Sequence, residues 1–471
     1  MKTCLSARRS RRGSTYLTVI VAMAVIGIVL AAYLTMVGTQ NSFSARSQTW
    51  NRSVPVLEAG LEEAMAHLNK NGSPPEPGVP VNLALLAGDG WDNNGSLNGP
   101  WTKQGWIDGD FYYVSIASWS GTTAQFPNIS STGFVRQLPA YAWQRSGGPL
   151  LAAIALPNLE AGHFSSRAVQ CRVTNNPSFS RALVAKHGID MNGNNVLTDS
   201  YDSRNPLYST GGRWDVAKRR ANGDVASNDT LTNVINVGNA NIWGRVATGP
   251  GGTVSLGPNG AVGNAAWQGS RTGIQPGYST DDMNVEFPDA VVPAGSLGWL
   301  PPLSGSGGYQ YIFNTPGDYK VANISGDILV SALNVRLLVT GGWSFSGQKA
   351  MTITTNGSIK IYLDCASADI TGSGNINGVM NTPGTPDRCY IFGTSKLTSL
   401  DIGGNGEITA VVYAPYANVT LHGGGNSAND FSGAIVANTF RFTGHYNIHY
   451  DEALGRAGLW RGFTIISWDE R

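Results

Sequence analysis

Two carboxylates facing one cleft are the minimum for glycoside hydrolysis. Three pairs qualify by sequence: Asp281 with Asp282, Asp364 with Asp369, and Asp451 with Glu452. Adjacent residues of a strand point to opposite faces, which makes Asp281–Asp282 a poor catalytic pair outside a loop. No cluster of Lys and Arg accompanies the other two, as a lyase would require. All three read better as turn and surface acids.

His445 and His449 are four apart and would share a face of a strand, a spacing that suits a metal. Only the Asp451–Glu452 pair lies near them in sequence, and no Cys does, so no metal is expected. The run DMNGNN, Asp190–Asn195, begins like a calcium loop. Its sixth position is Asn195 rather than Gly and its twelfth is Tyr201, so the pattern fails and an Asn/Gly turn is expected. A GxxxxGK[ST] loop, a CxxC and an HExxH are all missing, and no GxGxxG follows a strand into a helix. No cofactor is implied and the chain is read as non-enzymatic. A formal net charge of +1 with no basic patch argues against a nucleic-acid partner.

The elements that must carry any function are unequal in kind. Charged residues are 13% of the 471, against about 25% in ordinary domains, and 60 residues are Gly. Thirteen Trp, 17 Tyr and 14 Phe nevertheless argue for packed structure. This is the composition of many turns between short strands.

The N-terminal end is different. Arg8, Arg9, Arg11 and Arg12 precede Gly13, and no charge follows until Arg46. Within that window Tyr16–Val37 is 22 mostly apolar residues, about 33 Å as a helix, enough for a hydrocarbon core of ~30 Å. Its Leu, Ile and Val side chains favour insertion by roughly 3–7 kcal/mol. The arginines belong on the cytoplasmic side. A secretory signal has a shorter apolar region and a small-residue cleavage site. Here Val56, Leu57, Leu61, Ala64, Met65 and Leu68 instead recur at helical spacing between Glu58, Glu62 and Glu63, so an amphipathic helix continues beyond the apolar run. Pro55 is expected to kink it or start a new segment, and Gly72 with Pro74 and Pro75 to stop it.

The short basic leader, Gly13 as its last residue and the apolar helix from Ser14 resemble the prepilin-type N-terminus of type IV pilins and type II secretion pseudopilins. VLEAGLEEAMAHL brings the resemblance closest to the PilX/GspK-like minor subunits. The resemblance implies cleavage between Gly13 and Ser14 by a prepilin peptidase, anchoring in membrane lipid, and later packing against sister pilin helices. Major pilins usually carry Glu at the fifth mature position; here that position is Thr18, which fits a minor or tip subunit.

Beyond Ser73 the pattern turns to strands. Phe111–Ser120 and Ile129–Arg136 alternate apolar and polar residues, in an intermediate region over 72–178, and GPLLAAIALPNLE is a further candidate strand. From about Phe179 the chain repeats itself. ALVAKHGIDMNG (Ala182–Gly193), VVYAPYANVTLHGG (Val411–Gly424) and AIVANTFRFTG (Ala434–Gly444) share one pattern, and Ala414 precedes Ala437 by 23 residues. DILV precedes AMTI by the same interval, and IKIYLD precedes CYIFG by a longer one. Coils of this length stack to share one core. The expected fold is mainly β with a long N-terminal α-helix: a leader over 1–13, a transmembrane and amphipathic helix over 14–71, the β-rich region, and a right-handed parallel β-helix over 179–455. A β-sandwich remains the alternative. FSGAIVANTFRFTGHYNIHYDEAL resembles the last coils of a β-helical domain joined to PilX-like N-termini, and FTIISWDER, in 456–471, its closing strand. Cys365 and Cys389, 24 apart, would lie on neighbouring coils at a separation suited to a disulfide.

These readings combine into one expectation: a minor pilin or pilus-assembly subunit, anchored in the cytoplasmic membrane with its N-terminus inside and its β-helical domain outside, meeting other pilins and a surface or glycan ligand. The alternatives are a membrane-anchored β-helical carbohydrate-active enzyme or adhesin, and a scaffold of β-helices stacked end to end.

Overall fold

The computed structural model describes residues 12–72, 83–95, 100–117, 127–136, 164–193, 195–293, 298–303, 305, 307–345, 347–371, 376, 384–423, 431–457 and 460–471. They form two units, one of residues up to 176 together with 461–471, the other Pro177–Trp460. The protein is mainly β, with one long N-terminal helix. All of GPLLAAIALPNLE and the leader residues 1–11 lie outside the described residues.

The first unit is built on that helix, α1 (Arg12–Gly72), 61 residues without interruption. Pro55 lies inside it and does not start a new segment. It sits on the exposed side of the helix, where water can take over the carbonyl that the missing N–H leaves free. Ala45, Thr49, Ser53, Val56, Leu57, Leu61, Ala64 and Leu68 are buried and make one stripe at helical spacing. The stripe lies on an antiparallel sheet of β1 (Trp101–Ile107), β2 (Asp110–Ala117), β3 (Asn128–Arg136) and β4 (Phe164–Pro177). Asp108 and Gly109, both at positive φ, make the two-residue turn between β1 and β2. The buried residues of β2 and β3 alternate: Tyr112, Val114 and Ile116 face the helix with Ile129, Ser131 and Val135. Gly133 lets the helix come close, because a Cβ there would stand 2.6 Å from the Ser53 carbonyl oxygen and 2.7 Å from the Leu57 nitrogen. The sheet's fifth strand is Trp460–Glu470, beside β4. The expected closing strand of the C-terminal domain is thus an edge of this other unit.

The second unit is a stack of coils, each with up to three short strands, whose strands pair in parallel with those of the next coil. Three ladders result. In the first, the core residues Tyr319, Leu337, Ile361, Ile391, Val412, Ile435, Leu183, Val225 and Val246 are register neighbours in that order. The second runs Trp343, Ala368, Leu400, Val419, Phe440, Ile189, Ile235, Val254. The third runs Ile328, Met351, Ile376, Ile408, Phe431, Ile448, Thr198, Ile242, Val262. Their side chains form one continuous apolar core, apart from Thr198. The sequence repeats are consecutive coils: Val412, Ile435 and Leu183 stand in one column, as their alignment requires. DILV and AMTI pair in the register their spacing predicts, Ile328 with Met351.

Spatial order is not chain order. The first coil, from Phe179, rests on the last, which ends at Asp451. The chain therefore enters in the middle of the stack and winds outward to Ser279–Thr280. It then runs back along the side, where Met283 bonds Thr248, Val285 bonds Asn228, and the Pro288 carbonyl accepts from the Tyr413 hydroxyl at 2.6 Å. Leu300 joins Tyr319 at the far end, and a second series of coils winds back from Tyr311 to the middle. Met283, Val285, Phe287 and Ala290 of the return segment pack on the core cluster. The outward column of the first ladder is also largely covered, with Leu338, Tyr362, Tyr413, Val436, Val184, Ala226 and Ala247 all buried. A sheet buried on both faces needs nearly continuous apolar strands, and IKIYL, CYIFG and GAIVA are such strands.

Candidate assembly element and the seam between coil series

The chain presents two unusual features: an uncovered apolar helix, and a buried polar cluster where the two coil series meet. From Tyr16 to Phe43 the large apolar side chains of the helix, except half-buried Val37, stand open, Tyr16 at 78% and Ile28 at 70% exposure. The most apolar stretch has a mean hydropathy of 2.7 and is long enough to cross a membrane. Gly13 and Ser14 lie in the first turns of α1. Thr18 bonds its own helix, its hydroxyl donating to the Thr15 carbonyl at 2.9 Å. Thr35 and Thr39 do the same. Thr18 thereby lowers the cost of its hydroxyl in an apolar surrounding, where a carboxylate would need an outside partner.

The seam joins the last coil to the first. Ile448 pairs with Thr198, His449 with Asp199, Tyr450 with Ser200 and Asp451 with Tyr201. His449 and Asp199 are fully buried, and His449 Nδ1 lies 2.6 Å from Asp199 Oδ1. The excursion 202–220 roofs them. Its Trp214 ring stacks on His449 at 3.8 Å and its indole N–H donates to Asp199 Oδ2 at 3.2 Å. Ser200 and Arg220 close the excursion through paired backbone bonds.

Around this centre, charges of the first series meet charges of the second. Glu452 accepts from Arg220 at 2.7 Å, Asn222 at 2.7 Å and the Ser200 hydroxyl at 2.8 Å. Arg456 donates to Asp202, Arg204 to Asp387, and Arg213 approaches Glu407 at 3.9 Å. Asp451 Oδ1 accepts from the backbone N–H groups of Ser203 and Ala453. Burial nevertheless dominates there and pushes the Asp451 carboxyl up to about 6, and it raises Glu407 as well. Burial and the Asp451 charge raise the Tyr201 hydroxyl far above its ordinary value.

The residues singled out from the sequence are mostly separated. His445 stands outside the strand, 3.1 Å from the Asn447 amide, while His449 is paired elsewhere. Asp364 takes Lys396 at 2.6 Å, and Asp369 pairs in register with Asp401 rather than Asp364. Asp190 accepts from the Asn192 backbone and the Asn236 side chain, an ordinary turn between coils. Among the described residues no group of three His, Cys, Asp or Glu is placed to hold a metal.

The disulfide expected between Cys365 and Cys389 is not made; Cys171, Cys365 and Cys389 are free and buried. Cys389 pairs with Ile359, at the start of the strand that Cys365 follows. Coil spacing alone ignored the length of the inserted loop, which shifts the register. Burial raises the Cys389 thiol to about 12.

Sequence reasoning missed Asp199 as the partner of His449, 250 residues away. The repeat held part of the signal: aligning ALVAK with AIVAN brings LTDSY near NIHYD, but two residues out of the register that pairs Asp199 with His449.

Fold and site thus define a class: a stack of parallel-strand coils in a chain that carries one membrane-length helix. The model of a family described as Domain of unknown function (DUF7305) matches residues 312–457. That interval begins in the first strand of the second series and ends in the short helix Leu454–Ala457. It includes Asp387, Glu407, His449, Asp451, Glu452 and Arg456, and leaves out the whole first series. No curated protein and no solved structure matches the chain.

Proposed function

We propose that the protein is a minor pilin or pilus-assembly subunit of a type IV pilus or a type II secretion-like filament. Prepilin peptidase cuts it between Gly13 and Ser14, and α1 anchors it in the cytoplasmic membrane with its N-terminus inside. After extraction the same helix packs against other pilin subunits. The observation that carries this reading is the division of α1: Tyr16–Phe43 is apolar and uncovered, whereas Ala45–Leu68 is fixed to an antiparallel sheet. A helix held this way at one end can exchange lipid for protein neighbours at the other without disturbing its own domain. Thr18 in place of a carboxylate supports a minor rather than a bulk subunit.

The stacked coils are taken here as a right-handed parallel β-helix displayed outside the membrane, as a contact or adhesive surface for a glycan or another surface. The outward columns of the second ladder support this role. Ser367, Ser399, Asn418 and Thr439 form one and Asp369, Asp401, Thr420 and Arg441 the other, polar throughout. Mass spectrometry of the N-terminus of protein recovered from membranes tests the assignment. A chain beginning at Ser14 is expected; a chain beginning at Met1 in cells with active prepilin peptidase rejects it.

A further inference from the structure

We propose that residues 199–222 are a latch, and that the first coil series is a separately opening unit held by it on the last coil of the second series. Three observations carry this. The two series are neighbours in space but not in sequence, so the coils that meet at the seam, Phe431–Asp451 and Leu183–Tyr201, are not consecutive in the chain. The coils of each series are strung on continuous chain; across the seam no coil leads directly into its neighbour, and the chain that leaves the first series at Thr280 crosses it only as a side strap, where Val285 bonds Asn228 and the Pro288 carbonyl accepts from Tyr413. The latch is also chemically unlike the rest of the stack. Within one excursion Arg204, Arg213, Trp214 and Arg220 reach Asp387, Glu407, His449 and Glu452, all in the other series. Finally, the family match ends at the seam. Residues 312–457 hold the acceptors Asp387, Glu407 and Glu452, whose arginine partners all lie in 199–222, while one pair runs the other way, from Arg456 to Asp202. The matched region therefore ends in a parallel strand edge, and its successive coils carry Asp387, Glu407 and Glu452 as an acidic rim, which this chain fills with its own strand and basic loop.

Apolar pairs such as Ile435 with Leu183 and Phe440 with Ile189 supply adhesion across the seam, as they do between all coils. The charged rim adds a term that salt screens and that single substitutions remove. A cooperative unit of this kind opens at a free energy below that of global unfolding. Its reporters are backbone N–H groups bonded across the seam: Lys186 to Ala437, His187 to Asn438, Ile435 to Ala182 and Phe440 to Gly188.

Hydrogen exchange of the full-length protein in detergent, read by mass spectrometry, tests the proposal. In Glu452→Gln the seam amides of 183–201 and 431–451 should exchange about tenfold faster as one set, while 335–345 and 359–363 keep their protection. Should Glu452→Gln not fold, Arg204→Gln, on the exposed rim, should accelerate the same set by about threefold. Molar sodium chloride should do likewise in the unaltered protein. Faster exchange confined to 199–222, equal acceleration of all strands, or no change in the seam amides would overturn it.

Discussion

Asp451→Asn isolates the electrostatic cost of the seam. Asp451 is buried, and its carboxyl titrates near 6 instead of the ordinary 3.8. The folded state therefore holds this proton to higher pH than the unfolded chain does. The stabilisation is complete below pH ~4 and is lost as pH rises through about 6. A shift of this size, at about 1.4 kcal/mol per unit, makes ionised Asp451 cost the fold about 3 kcal/mol at pH 8. Asparagine can keep the main contacts, because both backbone donors, Ser203 and Ala453, use the same oxygen, Oδ1. The new amide can donate to the Ser203 hydroxyl, which bonds the carboxylate in the native protein. Urea unfolding of both proteins between pH 4 and 8, followed by near-ultraviolet circular dichroism, should show nearly equal stability at pH 4, an advantage for the variant that grows between pH 4 and about 6, and a constant advantage of about 3 kcal/mol above that. A difference independent of pH would refute the reasoning, and a decline of the variant relative to the native protein would show that the ionised carboxylate is needed for its charge.

Gly133→Val should push α1 off its sheet, since the new Cβ meets backbone atoms of Ser53 and Leu57 that cannot move independently; about 3 kcal/mol of lost stability is expected, read as earlier proteolysis of α1 on heating. Arg336→Leu strands Asp318, only 2% exposed, without its two-pronged partner at 2.5 and 2.7 Å, and should cost about 3–5 kcal/mol in urea midpoint analysis, whereas loss of an exposed ion pair would cost under ~1 kcal/mol. Thiol titration under denaturing conditions should give the same count before and after reduction, and in the folded protein Cys389 should resist alkylation at pH 8 because its thiol titrates near 12.

What the sequence determined by itself was local. A charge-free run of this length is a membrane-compatible helix wherever it is placed, because backbone hydrogen bonding within one segment satisfies it. The stripe from Val56 to Leu68 declared its buried face through helical spacing, and β2 and β3 through alternation. The repeats disclosed the register of Leu183, Val412 and Ile435, because inward side chains must fall in one column for stacked coils to share a core. Only the tertiary structure decided which coils touch. The period of a repeat is indifferent to the order in which coils stack, so nothing local announced that the chain begins in the middle of its own stack. The same indifference hid the His449–Asp199 pair, separated the thiols of Cys365 and Cys389, and left Trp460–Glu470 free to pair with β4 instead of closing the coils. Strand edges accept any partner of suitable register, and the choice among partners is made by packing between residues far apart in the chain.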